Sequence, residues 1–263
     1  MALRVACAQL APQIGDVAGN AARAGAAIDA AVAAGARLVV LPELCLSGYV
    51  FESAAEARAA AVSPDRLASW SRPGAVVVGG FAELGEGGRL YNSAAVVDGS
   101  GVRAVYRKVH LWDREPAFFA AGDAPPPVVE TAAGRVAPLV CFDLFFPEWV
   151  RVAALAGAEV LCVPGNWPRL PVPDGERPMQ LLRAMVAAEA NGVVVATCDR
   201  AGEERGAAWA GATCVCAPGG SLVARSGGFE PELVVADVPE RGPGRAVGLI
   251  ARRPELYGPV GGA

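Results

Sequence analysis

Histidine is almost absent from this chain, since only His110 occurs among the 263 residues. Most zinc and non-haem iron sites need two or three imidazoles, so a histidine-rich metal site is excluded. A Ser-His-Asp or Cys-His mechanism is also excluded, unless it uses His110 itself. Any hydrolytic chemistry would therefore depend on other side chains to move protons.

Charged residues are also scarce, at 19% of the chain against 53% hydrophobic residues. This balance argues against disorder, and a chain of this length can bury a full core without disulfides. The formal net charge is −4, so a basic surface for nucleic acid is not expected. No apolar run approaches the roughly 18 residues of a membrane span, and the N-terminus lacks the basic region of a signal peptide. We therefore expect a cytoplasmic protein that binds neither nucleic acid nor membrane.

Cysteine is present in an odd number, and no two cysteines form a C-x-x-C pair. The seven are scattered, mostly inside apolar runs, at Cys7, Cys45, Cys141, Cys162, Cys198, Cys214 and Cys216. This distribution predicts reduced, buried thiols and not a disulfide framework.

Apolar segments of strand length alternate with helical segments along the chain. Strands are predicted at 3–10, 37–41, 75–82, 90–97, 102–107, 135–140, 159–163, 193–198, 209–216, 221–224 and 233–237. Helices are predicted at 17–34, 54–70, 147–156 and 176–190, the last with Met179, Leu182, Val186 and Ala190 on one face. Strands interleaved with helices are typical of α/β layers.

Two segments of the chain are similar to each other. AGARLVVLPE, which ends at Glu43, aligns with AGAEVLCVPG, which ends at Gly165. The alignment predicts two related α/β halves in one domain, although the same pattern is also a common joint between a helix and a strand.

Glu43 directly follows a buried strand in the motif LPELCLSGY. Ligands collect at the carboxyl ends of strands in α/β sheets. A carboxylate with little water around it has a raised pKa, which suits a general base. The alternative is a structural carboxylate that accepts hydrogen bonds from the amides of the next turn.

Lys108 and His110 project to one side of an extended segment in VYRKVHLWDREPAFFAAGD. The Lys108 ammonium could hold a developing oxyanion, and if buried it needs a carboxylate partner. The candidate partners are Glu43, Asp113 and Glu115. The alternative is a solvated basic pair of Arg107 and Lys108 at a strand end. His110 is either the base of a Cys-His dyad or a core histidine.

Cys141 ends an apolar strand in APLVCFDLFFPEWVR, and Pro147 opens a helix six residues later. A thiol on a strand-to-helix turn faces substrate, while nearby backbone N–H groups can cradle an oxyanion. A neighbouring lysine would lower the pKa of the thiol toward the reactive thiolate. The alternative is a buried cysteine at a strand end, the role expected for the other six.

As an ordered set, these Glu, Lys and Cys motifs resemble those of the nitrilase superfamily, the carbon–nitrogen hydrolases with a Glu-Lys-Cys triad. The matching phrases are LPELCLSGY, YRKVHLWD and CFDLFFPEWVR. Agreement extends from VACAQLAPQIGDVAGN near the N-terminus to RRPELYG near the C-terminus. The resemblance, which is to small single-domain members, therefore covers nearly the whole chain.

The resemblance implies a four-layer αββα sandwich, which we place over residues 1–240. The Pro- and Gly-rich residues 241–263 have weak periodicity and are predicted to form a tail, of a kind that often packs on a partner subunit. It also implies a homodimer or a larger homo-oligomer, and a thiol mechanism without metal or cofactor. The chain departs from the family pattern in two places, with Asp199 where asparagine is common and with a Gly-rich C-terminal arm. These departures concern the oligomer geometry and leave the expected chemistry unchanged.

Position by position, the resemblance makes Cys141 the nucleophile and Glu43 the general base. Lys108 becomes the oxyanion stabiliser, together with the backbone N–H of Phe142. Glu115 matches a second glutamate that many members carry after the lysine. His110 is then expected to lie near Lys108 without contacting the substrate.

The sequence indicates the substrate pocket less clearly than the catalytic residues. Its candidate residues are Tyr49, Trp112, Phe142, Phe145, Phe146, Asn166 and Trp167, although aromatic residues fit a plain core equally well. Arg114 and Arg169 are either partners of a substrate carboxylate or solvated surface residues.

We expect hydrolysis of a small acyl amide or nitrile through a cysteine thioester, with release of ammonia and a carboxylic acid. The alternatives are hydrolysis of an N-carbamoyl amine and a catalytically silent scaffold of the same fold.

Overall fold

The computed structural model of the chain describes residues 2–239 and 247–258, and a six-stranded sheet is formed mainly by the first half of the chain. The strand order is β14-β1-β2-β3-β4-β5, with β1, β2 and β3 parallel and the others antiparallel. The strands are β1 (Leu3–Gln9), β2 (Leu38–Val40), β3 (Val76–Leu84), β4 (Leu90–Asp98), β5 (Gly101–Arg107) and β14 (Glu232–Val238).

A second six-stranded sheet is formed by the second half of the chain, in the order β13-β12-β9-β8-β7-β6. Its parallel strands are β7, β8 and β9. The strands are β6 (Val129–Thr131), β7 (Gly134–Pro138), β8 (Val160–Pro164), β9 (Val194–Cys198), β12 (Cys214–Cys216) and β13 (Leu222–Arg225). A separate small hairpin pairs β10 (Glu203–Glu204) with β11 (Ala207–Ala208).

The α-helices of the described residues are α1 (Val17–Ala33), α2 (Ala54–Ala59), α3 (Pro147–Leu155), α4 (Met179–Asn191) and α5 (Val247–Ile250). α1 covers the outer face of the first sheet, and α3 and α4 cover that of the second. One apolar cluster packs α1 on the first sheet, another packs α3 and α4 on the second, and a third joins the two sheets face to face. The predicted αββα sandwich is therefore confirmed.

The two similar sequence segments occupy equivalent places in the two sheets. Each contributes the central strand of a parallel trio, β2 in the first sheet and β8 in the second. Their ends meet, because the Glu43 N–H donates to the Gly165 carbonyl at 3.4 Å. This equivalence favours two related halves over a chance similarity of two joints.

The predicted helix over residues 54–70 is wrong as a single element. The α-helix ends at Ala59, and a 3₁₀ segment begins at Pro64 and runs to Trp70. Proline cannot donate the backbone hydrogen bond that an α-helix needs at this position, which explains the break. The short strand β6 (Val129–Thr131) was not predicted, and the strand expected at 209–216 is only β12.

The predicted apolar face of α4 is exposed. Met179 and Val186 are 54% and 64% exposed, whereas Ala184, Ala187 and Ala188 are buried against the second sheet. Small alanine side chains allow a helix to pack closely against a sheet, so the alanine face of α4 lies on the second sheet and the bulkier side chains remain exposed.

The predicted tail over residues 241–263 is described only in part, because residues 240–246 and 259–263 lie outside the described residues. Within the described part, α5 contacts α4, and Leu249 packs against the core cluster of the second sheet. Packing of this tail on a partner subunit stays a prediction. Among residues 2–239 and 247–258, no helix combines the length and apolar character needed to cross a bilayer.

Candidate active site

The three candidate catalytic residues follow three strands whose ends meet between the sheets. Glu43 lies after β2, Lys108 directly after β5, and Cys141 shortly after β7. All three are buried, with exposures of 0%, 0% and 5%. Glu115, in a short 3₁₀ turn of the loop that follows Lys108, is buried beside them.

The Lys108 ammonium is held between two carboxylates. Its Nζ donates to Glu43 Oε1 and to Glu115 Oε1, each at 2.7 Å. Burial alone would lower the pKa of Lys108, but the two carboxylates outweigh burial and raise it. The ammonium is therefore charged at any working pH. Of the three candidate partners of Lys108, Glu43 and Glu115 contact it and Asp113 does not.

Glu43 has one oxygen engaged and one oxygen free. Oε1 accepts from Lys108 and from the Asn92 amide at 2.7 Å. Oε2 is buried and has no hydrogen-bond partner within the described residues. Burial raises the pKa of Glu43, and Glu115 adds to this effect while Lys108 opposes it. A free, buried carboxylate oxygen with a raised pKa is suited to accept a proton.

The Cys141 thiol is protonated in the resting site. Burial raises its pKa well above the ordinary value, the Glu43 charge raises it further, and Lys108 and the Asn166 backbone N–H oppose these effects. Lys108 lowers the pKa of this thiol, as predicted from the sequence, but burial and the two carboxylates outweigh the single ammonium. Cys141 needs a base at the moment of attack.

The turn that carries Cys141 is strained and tightly held. Cys141 has φ +47, in the left-handed region, and opens the 3₁₀ segment Cys141–Phe145. The Asp143 carboxylate accepts from the Val140 N–H at 3.0 Å and from the Tyr106 hydroxyl at 2.8 Å. A strained residue in so many fixed contacts indicates a functional position.

His110 contacts Asp143, the residue that holds the Cys141 turn, and does not contact the Cys141 thiol. Its Nδ1 lies 2.7 Å from Asp143 Oδ1, and its ring stacks on Phe146 at 3.8 Å between centroids. The geometry therefore contradicts a Cys-His dyad. Within the described residues, the Phe142 N–H makes no hydrogen bond outside its own turn, so it is available as an oxyanion donor next to Cys141.

Two cavities open onto the site. The first, which we call the Cys141 cavity, measures about 170 Å³. It is lined by Trp112, Cys141, Phe142, Leu144, Phe145, Asn166, Trp167, Pro168, Leu170, Met179, Gln180 and Arg183. Five of the predicted substrate residues are therefore brought together with the nucleophile.

The second cavity, of about 200 Å³, lies on the Glu115 side. It is lined by Tyr49, another of the predicted substrate residues. The Tyr49 hydroxyl donates to Glu115 Oε1 at 2.7 Å. Arg114 lines this cavity as well. Arg169 lines neither cavity, and its guanidinium lies over the Phe229 ring. The Phe146 ring stacks on His110 and lines neither of these two cavities.

Two supporting groups were missed in the sequence. Asn92 lies in β4 and holds Glu43, and its signal is an asparagine inside a buried strand. Glu204 accepts the backbone N–H groups of Tyr49 and Val50, and it pairs with the buried Arg200 at 3.0 Å. Within the described ranges, no group of three His, Cys, Asp or Glu side chains could hold a metal ion.

The family described as Carbon-nitrogen hydrolase matches residues 4–242. The chain belongs to the carbon–nitrogen hydrolase family. A nitrilase of Pyrococcus abyssi is 38% identical over 243 residues, which are 90% of this chain and 89% of that protein. An (R)-stereoselective amidase of Pseudomonas sp. is 33% identical over 89% of this chain and 84% of that protein.

Solved amidase structures are similar to this chain over nearly its whole length. An amidase from Nesterenkonia sp. superposes with a TM-score of 0.82 at 31% identity, over 97% of this chain and 95% of that one. In a glutamate-to-glutamine variant of that amidase, the acetamide moiety of fluoroacetamide is covalently added at the active-site cysteine. A double variant of the same amidase, in which a glutamate is replaced by glutamine and a cysteine by alanine, was solved in complex with acrylamide. The resemblance to the nitrilase superfamily is thereby confirmed.

Proposed function

We propose that this chain hydrolyses the carbon–nitrogen bond of a small amide or nitrile through a thioester on Cys141. The observation that supports the proposal is the buried cluster in which Lys108 lies between Glu43 and Glu115 next to that thiol. The names of its relatives, among them a nitrilase, an amidase and an omega-amidase, agree with this chemistry.

Acylation begins when Glu43 Oε2 takes the Cys141 proton as the sulfur attacks the substrate carbonyl carbon. The carbonyl oxygen becomes negative and is met by the Lys108 ammonium and the Phe142 N–H, each such donor being worth about 3 kcal/mol. Glu43 then gives its proton to the departing nitrogen. The C–N bond breaks, ammonia leaves, and a thioester remains.

Deacylation reuses the same groups. Glu43 takes a proton from water, the hydroxide attacks the thioester carbon, and Lys108 again meets the negative oxygen. The C–S bond breaks, Glu43 returns the proton to the Cys141 sulfur, and a carboxylic acid is released. Glu115 keeps Lys108 in place through both steps, because the ammonium donates to the carboxylates of both Glu43 and Glu115.

The size of the Cys141 cavity favours a small acyl group. Its volume of about 170 Å³ lies below the roughly 300 Å³ at which pockets for drug-sized ligands begin. Trp112, Phe142 and Trp167 provide apolar walls for the acyl chain.

The test is a screen for ammonia release from amides, nitriles and N-carbamoyl compounds, with intact-mass spectrometry to trap the acylated protein. Cys141→Ala should abolish turnover and the mass adduct. Cys216→Ala, which removes another buried thiol, is the matched control and should leave both unchanged. Iodoacetamide should label mainly Cys141 in the folded parent.

Three outcomes separate the alternatives. Activity of Cys141→Ala within tenfold of the parent would refute the thioester mechanism. A clear preference for N-carbamoyl amines would move the reaction to that class with the same residues. Silence on every substrate, with Cys141 unlabelled, would favour a scaffold role. The homodimer and the cytoplasmic location stay predictions, for light scattering and cell fractionation to check.

A further inference from the structure

Four buried side-chain oxygens have no hydrogen-bond partner in the part of the chain that the structure describes. They are Glu43 Oε2, Asn92 Oδ1, Asn166 Oδ1 and Asn191 Oδ1. Three of the four lie around the proposed base, because the amide nitrogens of Asn92 and Asn166 donate to the Glu43 carboxylate and to the Glu43 carbonyl. A buried acceptor without a donor is unfavourable. Such oxygens gathered beside a reactive thiol therefore indicate a place for a donor group of the ligand.

Of the two asparagines that hold Glu43, Asn166 is the one that lines the substrate space. It lines both the Cys141 cavity and the second cavity, whereas Asn92 lines neither. Its Nδ2 donates to the Glu43 carbonyl at 3.0 Å, and a carbonyl can only accept, so this contact fixes which end of the amide is Oδ1. Asn166 is 2% exposed, and its backbone N–H donates to the Cys141 sulfur. Its side-chain oxygen is therefore an unpartnered acceptor in a residue that contacts the nucleophile.

The backbone on both sides of Asn166 is held in place. The Gly165 N–H donates to the Cys198 carbonyl at 2.8 Å, and the Trp167 N–H donates to the Asp199 carboxylate at 3.0 Å. A Cβ at Gly165 would lie 2.8 Å from the Trp167 ring, so the chain approaches that ring more closely than another residue would allow. Asn166 is thus positioned before a ligand arrives, as a recognition group should be.

The second carboxylate of the cluster is already engaged. Glu115 Oε1 accepts two hydrogen bonds, and its Oε2 accepts the Trp112 N–H at 3.1 Å. The acceptors left for a ligand beside the thiol are therefore Glu43 Oε2 and Asn166 Oδ1.

The free donors and acceptors of the site match a carboxamide. Lys108 and the Phe142 N–H are the proposed donors to its oxygen, while Glu43 Oε2 and Asn166 Oδ1 can accept from its NH₂ group, which donates twice. An ester has no N–H and leaves the Asn166 oxygen unpaired. As the C–N bond breaks, the nitrogen gains a proton and becomes a stronger donor, so a hydrogen bond to it strengthens in the transition state.

We propose that Asn166 Oδ1 accepts a hydrogen bond from the nitrogen of the scissile amide. The inference rests on the proposed carbon–nitrogen hydrolysis and adds to it a residue that recognises the leaving group. Asn166 is then a specificity-determining residue, which favours an amide over an ester of the same acid because only the amide pairs its buried oxygen.

The experiment compares propanamide with methyl propanoate, which carry the same acyl group and give the same thioester on Cys141. Propanoate formation is followed for both, and the observable is the ratio of kcat/KM for the amide to kcat/KM for the ester. Asn166→Leu should lower this ratio about tenfold, the size of one lost hydrogen bond. It should also slow both substrates, because the Glu43 carbonyl loses its donor.

Asn166→Asp separates these two effects, since it keeps Oδ1 and removes only Nδ2. It should slow both substrates and keep the ratio within about threefold of the parent value, because the acceptor for the substrate nitrogen remains. A ratio that falls about tenfold in Asn166→Asp would overturn the assignment, and this result decides the question even when Asn166→Leu does not fold.

The matched control is Asn191→Leu in α4. Asn191 has the same bonding, because its Nδ2 donates to the Ala187 carbonyl at 2.9 Å and its Oδ1 is buried and unpartnered within the described ranges, but it lines neither of the two cavities. It should leave the ratio unchanged.

Equal losses for both substrates in Asn166→Leu would show a purely structural role and overturn the inference, while the proposed function stands. An equal change of the ratio in Asn191→Leu would overturn it as well. Absence of turnover and of Cys141 acylation with every amide and nitrile would instead refute the proposed function itself.

Discussion

Replacing Glu115 by glutamine removes one negative charge from the buried cluster and keeps its shape. The side-chain carbonyl of the introduced glutamine can still accept from Lys108 and Tyr49, as Glu115 Oε1 does. The change therefore isolates the effect of the second carboxylate on the base. Since like charges raise the pKa of a carboxyl group, the pKa of Glu43 should fall.

The distances give the size of this effect. Glu43 Oε1 and Glu115 Oε1 each lie 2.7 Å from Lys108 Nζ, so they are at most twice that distance, about 5.4 Å, apart. At this separation and an effective dielectric constant of about 20, two unit charges repel by about 3 kcal/mol. This energy corresponds to a change of about two pKa units.

The assay is the pH profile of kcat/KM, together with the pH profile of Cys141 alkylation by iodoacetamide. Glu43 must be ionised to accept the thiol proton, so activity is lost as the pH falls through its pKa. Glu115→Gln should move this acidic limb to lower pH by about two units. The plateau should fall about tenfold, because a weaker base takes the proton less readily.

The control is Glu130→Gln, which removes an exposed carboxylate from β6 and should leave the profile of the parent. An acidic limb that stays in place in Glu115→Gln, or moves to higher pH, would refute the assignment of Glu43 as the base under the influence of Glu115. Both variants should melt cooperatively, and the alkylation profile remains measurable even when turnover is slow.

Three further predictions follow from the groups around the cluster. His110→Asn should lower kcat/KM only modestly, because His110 contacts Asp143 and not the thiol; near abolition would restore the Cys-His mechanism. Burial raises the pKa of Asp199 from 3.8 to about 7, so the folded chain holds a proton there that the unfolded chain has lost. The free energy of unfolding should therefore fall as the pH rises between these values, and Asp199→Asn should lose this contribution in urea titrations; an unchanged pH dependence would contradict it. Glu204→Gln leaves the buried Arg200 without its carboxylate and should destabilise the fold by about 3 kcal/mol, whereas exposed Glu203→Gln should not. Equal melting temperatures would contradict the prediction for Glu204.

The strand ends could be predicted because their signals are local. A run of apolar residues followed by proline predicts where β2 and β8 stop, and hence that Glu43 lies at a sheet edge. The same argument places Cys141 on the turn after β7. Contacts between distant segments have no such local signal. An asparagine inside a buried strand marks Asn92 as unusual, but spacing does not show that it holds Glu43 or that Glu204 contacts the Tyr49 loop.

The sequence is least informative where several effects compete. The pKa of Cys141 depends on burial and on two carboxylates as well as on Lys108, and only the structure gives their balance. In α4, apolar residues occur on more than one face, so the sequence does not distinguish the close-packing face with Ala184 from the bulkier face with Val186. The resemblance to a known family assigned residue roles, but it did not give these energies.

The origin of the cluster from both halves of the chain makes the thiol a reporter of folding. Glu43 and Lys108 follow strands of the first sheet, whereas Cys141 follows a strand of the second, and Asn166 ties them through the Glu43 carbonyl. Neither half alone can assemble the set. The fraction of chains that react in a rapid active-site titration therefore counts the molecules in which the two sheets have docked in register. Folding yield can be read from a single stoichiometric reaction.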